Sequence, residues 1–468
     1  SATCRADRCV AAITDTLDAS TDKTRPPATG MWPTKTSSPR RSAEVAHADT
    51  TDHLDSEPRV LFTRCMDDVV PPSRPEILAA AELLEPVIQR TPVQFSESLS
   101  RIAGVDVWLK CENLQSGGSF KIRGAFVRMS RLSAAEREAG VLAASAGNHA
   151  QGVALAARRL GMKATIYMPE RAALPKIAAT EGYGAEVRLA GATVDEALVA
   201  AKAEAARTGQ TIIHPFDHRD IVLGQATMGL EILEQVPDAR HVLVPTGGGG
   251  LLAGIGSAVA ALAVDAPQVV GVQAEGAAAY PESLRLGVPT PLGHMQTMAD
   301  GIAIARPGDI TLPLVQRTVK QVLTVSEEEI ARALLLLVER AKLVVEPAGA
   351  VGVAALLGRR NTWQGPVVTV LSGGNIDPLM LNSVLQHGLV HAGRYLHLRF
   401  QSPDSPGQLA QILEQVAVLG ANVLSVEHNR TSASLRIGEV EIIIELETRG
   451  PKHVQRIISE LRPMGAVP

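Results

Sequence analysis

Four short segments hold residue types suited to covalent and anion-binding chemistry. Lys121 lies in Gly117-Gly118-Ser119-Phe120-Lys121-Ile122-Arg123-Gly124-Ala125, between an aromatic and a β-branched residue. Apolar neighbours strip water from an ammonium, lower its pKa and free the amine as a nucleophile. Schiff-base chemistry with a carbonyl cofactor needs such an amine. The same segment also fits a lysine that snorkels from an amphipathic element with its head in water, and alone it does not choose between the two. Ser145-Ala146-Gly147-Asn148-His149-Ala150-Gln151-Gly152 places polar groups between an expected strand and a helix N-terminus. That position suits a carboxylate or phenolate oxygen, with Ser145, Asn148, His149 and nearby amides as candidates for a substrate carboxylate. An ordinary N-cap with a glycine turn would read the same way.

Thr246-Gly247-Gly248-Gly249-Gly250-Leu251 joins the apolar run Val242–Val244 to an apolar helix. Consecutive glycines leave amides unobstructed and the helix dipole points at them, so the loop reads as a phosphate cradle. It lacks the dinucleotide fingerprint and the Lys-Ser/Thr of a P-loop, which favours a single phosphate held without a metal. A linker rarely joins a buried strand to an apolar helix. Ser372-Gly373-Gly374-Asn375 closes the run Val367–Leu371. A hydroxyl there faces the crevice where α/β sheets bind ligands, although Ser-Gly-Gly is also a common turn.

The elements around these segments alternate. Helical spacing starts at Glu76, with Ile77, Leu78, Ala81, Leu84 and Val87 on one face. Strands are expected at 105–110, 141–145, 164–168, 186–189, 241–245, 269–273 and 367–371. Helices are expected at 150–159, 175–183, 193–208 and 251–263. Strands alternating with helices imply parallel sheets with right-handed crossovers. From Arg394 the order changes to strand 395–401, helix 407–419, strands 422–429 and 439–447, and helix 452–461, the start of a ferredoxin-like unit.

Composition agrees. The 468 residues allow two or three domains, and 46% apolar with 20% charged residues is ordinary for a soluble globular chain. A net charge of -4 gives no nucleic-acid footprint. The longest uncharged stretch, Val242–Val264, is broken by Pro245 and glycines, so no membrane span is expected. Cys4, Cys9, Cys65 and Cys111 show no metal or disulfide spacing, which points to a reducing cytoplasm, and Cys111 reads as a buried core thiol. Residues 1–73 are polar and proline-rich, read as a disordered extension, with Met66 a candidate true start.

The lysine segment, the Asn148 loop, the glycine cup and Ser372-Asn375, in this order, resemble the threonine dehydratase and serine racemase family of fold-type II pyridoxal-phosphate enzymes. Pro245, His214-Pro215-Phe216-Asp217, Ala299-Asp300-Gly301 and Glu346-Pro347-Ala348-Gly349-Ala350 also match. The resemblance spans residues 76–390 and implies two parallel-sheet α/β domains. The catalytic region would be 74–392, with a subdomain near 140–218. The tail 393–468 resembles an ACT regulatory domain through Asp404-Ser405-Pro406-Gly407 and Gly420-Ala421-Asn422-Val423.

By this resemblance, Lys121 carries pyridoxal 5'-phosphate and removes the substrate α-proton. Phe120 lies against the ring, Asn148 bonds its 3′-oxygen, the amides of Gly247, Gly248, Gly249, Gly250 and Leu251 hold the phosphate, and Ser372 meets the pyridine nitrogen. A neutral serine there favours β-elimination over transamination. The implied reaction takes L-threonine, and L-serine, to 2-oxobutanoate or pyruvate and ammonia, in isoleucine biosynthesis or threonine catabolism. Racemases of the family carry a second serine where this chain has Ala146. Glu275 resembles the first ligand of a cation site, but the following segment lacks the next carboxylate, so no metal is expected. Other readings are a serine racemase, a hydroxyaspartate dehydratase, a catalytically dead amino-acid sensor and, distantly, a dehydrogenase. A branched-chain amino-acid effector near Gly407 and Asn422, and a homodimer or homotetramer, complete the expectations.

Overall fold

The computed structural model describes residues 69–359, 362–431 and 435–468. The expected disorder of residues 1–68, the Met66 start and three of the cysteines lie outside these residues. Residues 69–73 depart from the expected extension. Val69 packs on the core and its carbonyl accepts from Arg317. Ser73 and Glu76 form a capping box that starts the helix Arg74–Leu84.

The large sheet contains β1 (Val93–Phe95), β2 (Val107–Lys110), β7 (His241–Pro245), β8 (Gln268–Ala274), β9 (Gln321–Val325) and β10 (Val367–Val370). Their order is β1-β2-β10-β7-β8-β9, parallel except for β1. Its central strands are runs of Val and Leu because helices cover both faces, leaving no solvated side to alternate toward. The small sheet contains β3 (Val141–Ala144), β4 (Ala164–Met168), β5 (Glu186–Leu189) and β6 (Thr211–Ile212) in the order β5-β4-β3-β6, all parallel. The chain builds it between β2 and β7.

The C-terminal sheet differs in kind. It contains β11 (Tyr395–Pro403), β12 (Asn422–Asn429), β13 (Glu439–Glu447) and β14 (Ala466–Val467), ordered β12-β13-β11-β14 and antiparallel. With helices Gln408–Leu419 and Pro451–Leu461 this completes the β-α-β-β-α-β unit that the sequence pattern began. Along β11, Leu396, Leu398 and Phe400 point into a core with Ile442, Ile444, Ile412 and Ile457, while alternate residues face outward.

Candidate active site

The carboxyl ends of β7 and β10 meet the segment that follows β2. Gly117 and Gly118 both have left-handed backbone, which turns the chain before the helix Lys121–Ser130. That turn is stitched to the loop after β10. Phe120 N donates to the Ser372 carbonyl at 3.2 Å, Gly374 N donates to the Gly118 carbonyl at 2.9 Å, and Ser119 pairs with Gly373. Lys121 and the strand-end Ser372, about 250 residues apart in sequence, are thereby held on one backbone seam.

Lys121 ends in this crevice, not in bulk water. Its Nζ donates to the Pro215 carbonyl at 3.1 Å and lies 5.1 Å from the centre of the Phe120 ring. Burial pulls the amine down to about 8, opposed by the Glu346 carboxyl. The snorkelling alternative is thereby removed. Pro215 is held by its neighbours: His214 Nδ1 accepts from the amides of Asp217 at 2.7 Å and Phe216 at 3.3 Å. An accepting Nδ1 carries no proton, and burial lowers this imidazole's pKa in agreement. The Asp217 carboxylate accepts from the amides of Ile310 at 2.8 Å and Asp309 at 3.0 Å. Thus His214-Pro215-Phe216-Asp217 ties the lysine's carbonyl partner to the loop before helix Thr311–Thr318.

The glycine cup follows β7, and helix Gly250–Leu262 starts from it. Its residues must be glycine for steric reasons. A Cβ on Gly248 would strike the Phe216 ring, and one on Gly249 would strike the Tyr280 hydroxyl. Gly249 also has φ +98°. First-turn amides of a helix have no acceptor within it, so the loop presents donors at the positive end of a dipole. The cup fits a phosphate by this geometry.

On the opposite wall, helix Asn148–Leu160 packs on the Lys121 helix where Gly152 faces Lys121. An added Cβ there would sit 3.0 Å from the lysine Cβ. Asn148 Nδ2 donates to Glu346 Oε1 at 2.7 Å, and Asn148 Oδ1 accepts from Asn375 Nδ2 at 2.9 Å. Glu346 immediately precedes helix Pro347–Gly358, yet its carboxyl does not cap that helix; it reaches Asn148 instead. Burial, then Asp300, pushes its pKa up to about 7. Gly373 makes room for this meeting, since a Cβ there would collide with Glu346. In the sequence Glu346 stands out only as part of a motif, with no role of its own. Its signal is a carboxylate directly before Pro at a helix start that the helix does not use.

Phe120, Lys121, Asn148, Gly247, Gly248, Gly249, Gly250, Leu251 and Ser372 line one cavity with Glu346, Gly301 and Pro215. Two expected residues stand apart. The Ser145 hydroxyl, just beyond β3, accepts from the Gly147 amide at 3.2 Å and does not line this cavity. The His149 side chain is engaged elsewhere. Its ring turns into the core, where Nε2 meets the Ile213 carbonyl at 2.7 Å, and burial holds the imidazole neutral with a pKa of about 3. A carboxylate at the Lys121 end cannot use that ring. Cys111 is buried, and burial raises its thiol to about 11.

Gly407 and Asn422 also part company. Gly407 precedes helix Gln408–Leu419 and Asn422 opens β12 beyond its far end. A 12-residue helix spans about 18 Å, so one amino acid cannot touch both within one chain. The crossover between the parallel-running β11 and β12 puts its two loops at opposite sheet ends. Glu275 opens the 3-10 turn after β8.

Comparison with known proteins bears on the same residues. Residues 84–373 match the family model for pyridoxal-phosphate-dependent enzymes. An L-threonine ammonia-lyase from Thermotoga maritima is 47% identical over 382 residues, covering 82% of this chain and 95% of the relative. One from Geobacter sulfurreducens is 45% identical over 390 residues, covering 83% and 97%. Among solved structures, a threonine deaminase from T.th. is 41% identical with a TM-score of 0.62, covering 65% of this chain and 99% of that one. Maize serine racemase is 33% identical with a TM-score of 0.64, covering 69% and 99%. The match spans the lysine turn, the Asn148 loop and the glycine cup and ends at Gly373, within the Ser372 loop: the chain belongs to the pyridoxal-phosphate-dependent enzyme family.

Proposed function

We propose that the protein is an L-threonine ammonia-lyase that also accepts L-serine, releasing 2-oxobutanoate or pyruvate and ammonia. One observation carries the reading: a desolvated lysine amine and a glycine cup share one cavity, with a neutral hydroxyl between their strands. The names of the relatives point to the same substrate.

Bound pyridoxal 5'-phosphate supplies an aldehyde that condenses with amines and a conjugated ring that stabilises negative charge at a substrate α-carbon. The residues present fit it. The amides of Gly247–Leu251 would hold the phosphate, Phe120 would flank the ring, Ser372 would face the pyridine nitrogen, and Lys121 would supply the amine. Lys121 then takes the α-proton at Nζ, which its lowered pKa allows near neutrality. Ser372, a neutral hydroxyl, would carry no charge to hold a proton on that nitrogen, which would favour loss of the β-hydroxyl over transamination. The Asn148–Glu346 pair keeps a donor and a weakly ionised carboxyl beside the same amine. The β-hydroxyl leaves as water with a proton equivalent to the one taken up at Lys121 Nζ, which restores the amine, and hydrolysis of the released enamine gives the ketoacid and ammonia. Ala146 has no proton to return to the opposite face, which disfavours racemisation.

A ketoacid assay on L-threonine, L-serine and D-serine tests this, with Lys121→Ala as control. Ketoacid from L-threonine that disappears in Lys121→Ala supports it. Serine inversion without ketoacid supports a racemase instead.

We further propose that residues 74–392 form the catalytic region and 393–468 an ACT-like regulatory module that senses a branched-chain amino acid. Its support is the C-terminal β-α-β-β-α-β unit. If activity curves with and without isoleucine or valine superimpose, and removing 393–468 changes nothing, the regulatory reading fails. Among the described residues no helix is long and apolar enough to cross a membrane, and a cytoplasmic homo-oligomer is the working assignment.

A further inference from the structure

The helix Pro378–His391 joins the large-sheet region to the C-terminal sheet, and it lies against helix Glu327–Leu336. Gly388 allows the approach: a Cβ there would stand 3.2 Å from the Ala331 carbonyl and 3.3 Å from Leu335 Cβ. Val384, Gly388 and His391 share the facing stripe of one helix, and Glu328, Ala331 and Leu335 share that of the other. His387 rides at the rim, one turn before His391.

This packing gathers three ligand-bearing side chains at the surface. The Nε2 atoms of His387 and His391 lie 3.0 Å apart, with the rings 4.5 Å apart and inclined by 70°. With a Glu328 carboxylate oxygen, all three atoms fall within 4.8 Å of one another. Two imidazole nitrogens at this distance either share one proton, as an N–H···N bond between opposite tautomers, or turn both lone pairs to one cation. Tetrahedral zinc bonds nitrogen and oxygen at about 2.0–2.2 Å, which places its ligand atoms a little over 3 Å apart. The imidazoles are already at that spacing, and the exposed Glu328 carboxylate lies within 4.8 Å of them, so an ion would draw it away from its hydrogen bond with Ser326.

We propose that Glu328, His387 and His391 bind a divalent transition-metal ion of the zinc class, with one position left to water. Two imidazoles and one carboxylate favour zinc, cobalt or nickel over magnesium or calcium, which take oxygen. The i, i+4 histidine spacing fixes two ligands on one helical face. The third comes from the neighbouring helix, so the ion clamps the connecting helix to the catalytic region. The site is separate from the Lys121 cavity and independent of the proposed reaction.

The test uses the full-length holoenzyme, stripped with a chelator and titrated calorimetrically with zinc chloride at neutral pH. One ion per chain is expected, together with a raised unfolding temperature. His387→Ala with His391→Ala should weaken that event at least tenfold and abolish the thermal shift. Glu328→Gln should weaken it less. All three positions are exposed, so circular dichroism and unchanged basal turnover should confirm folding. Cobalt in place of zinc should give the visible bands of a low-coordinate nitrogen site in wild type alone. Equal titrations for wild type and the double variant, or no binding to wild type, would overturn the proposal.

Discussion

Two lysines of this protein, eleven positions apart, have opposite surroundings: Lys110 is fully buried and Lys121 half-buried. Lys110 ends β2, and its ammonium meets Glu231, the Gln235 side-chain oxygen at 2.8 Å and the Thr91 carbonyl at 2.9 Å. Beside it Arg123 forks onto Glu112 and Glu231. Two cations and two carboxylates balance, and nearly every donor has an acceptor. Lys121 has one carbonyl and an aromatic ring. Burial lowers both amines, but carboxylates next to Lys110 pull back, whereas only Glu346 does so at Lys121. A satisfied buried charge fixes structure; an under-satisfied one stores reactivity. The contrast predicts that one cluster fails as stability and the other as turnover.

The largest effect should fall on turnover. On the proposed function Lys121→Ala removes the base and should cost about 10²–10⁴-fold in rate, with loss of the yellow aldimine absorbance but a normal circular dichroism spectrum. A folded variant retaining a tenth of the activity would break the contrast. Arg123→Met leaves Glu112 and Glu231 buried beside a single cation, and should lower stability by about 3–5 kcal/mol in urea unfolding. An unchanged midpoint would show that the network is dispensable.

Glu346 sharpens the comparison through pH. Its folded pKa of about 7 stands above the ordinary 4.5. Between those values the folded chain holds a proton that the unfolded chain has lost. Its contribution is therefore full below about 4.5 and fades as pH rises through 7. In enzyme stripped of cofactor, Glu346→Gln should remove a decline of roughly 3 kcal/mol across that window. Parallel pH–stability curves for the two proteins would contradict this.

Smaller still, Gly248→Ala must displace the Phe216 ring. It should weaken cofactor binding by about 1–3 kcal/mol, read from fluorescence titration. Least of all, Arg394→Ala breaks an exposed pair with Glu339, between the C-terminal sheet's lead-in and the helical turn Leu337–Ala341 that follows helix Glu327–Leu336. A loss below about 1 kcal/mol is expected, and a larger one would mean that this joint is more than a surface contact.

Much of this arrangement is legible from sequence, and the remainder has physical reasons for being hidden. Strands β3, β4, β5, β7, β8, β10 and the C-terminal β11–β13 announce themselves as apolar or alternating runs. Strands β1, β6, β9 and β14 escape, since three or two residues carry no period and β9 mixes polar and apolar residues half-buried. The helix from Lys121 also escapes, because Gly117-Gly118-Ser119 reads as a loop and the helix begins on the reactive residue. At the site, the glycine cup follows from its place between strand and helix, Ser372 from its place at a strand end, and Lys121 from its apolar neighbours together with the family resemblance. Glu346 and Asn375 do not: their roles come from Asn148, some 200 positions away. His149 misleads for the converse reason. Its partner, the Ile213 carbonyl, belongs to the loop after β6, which nothing local reveals.

The seam joining Gly118-Ser119-Phe120 to Ser372-Gly373-Gly374 has a mechanical consequence. Lys121 and Ser372 ride on one rigid body, so their separation is insensitive to how far the small sheet stands from the large one. Asn148 rides on the small sheet's helix, and it reaches across to Glu346 and Asn375. Lys176 adds an outer strut to Asp300 at 2.7 Å. Lys121 itself touches both sides: its backbone belongs to the seam, while its Cβ meets Gly152 and its amine meets the Pro215 carbonyl. The reactive amine is thus a hinge pin, aimed by the large sheet and steadied by the small one.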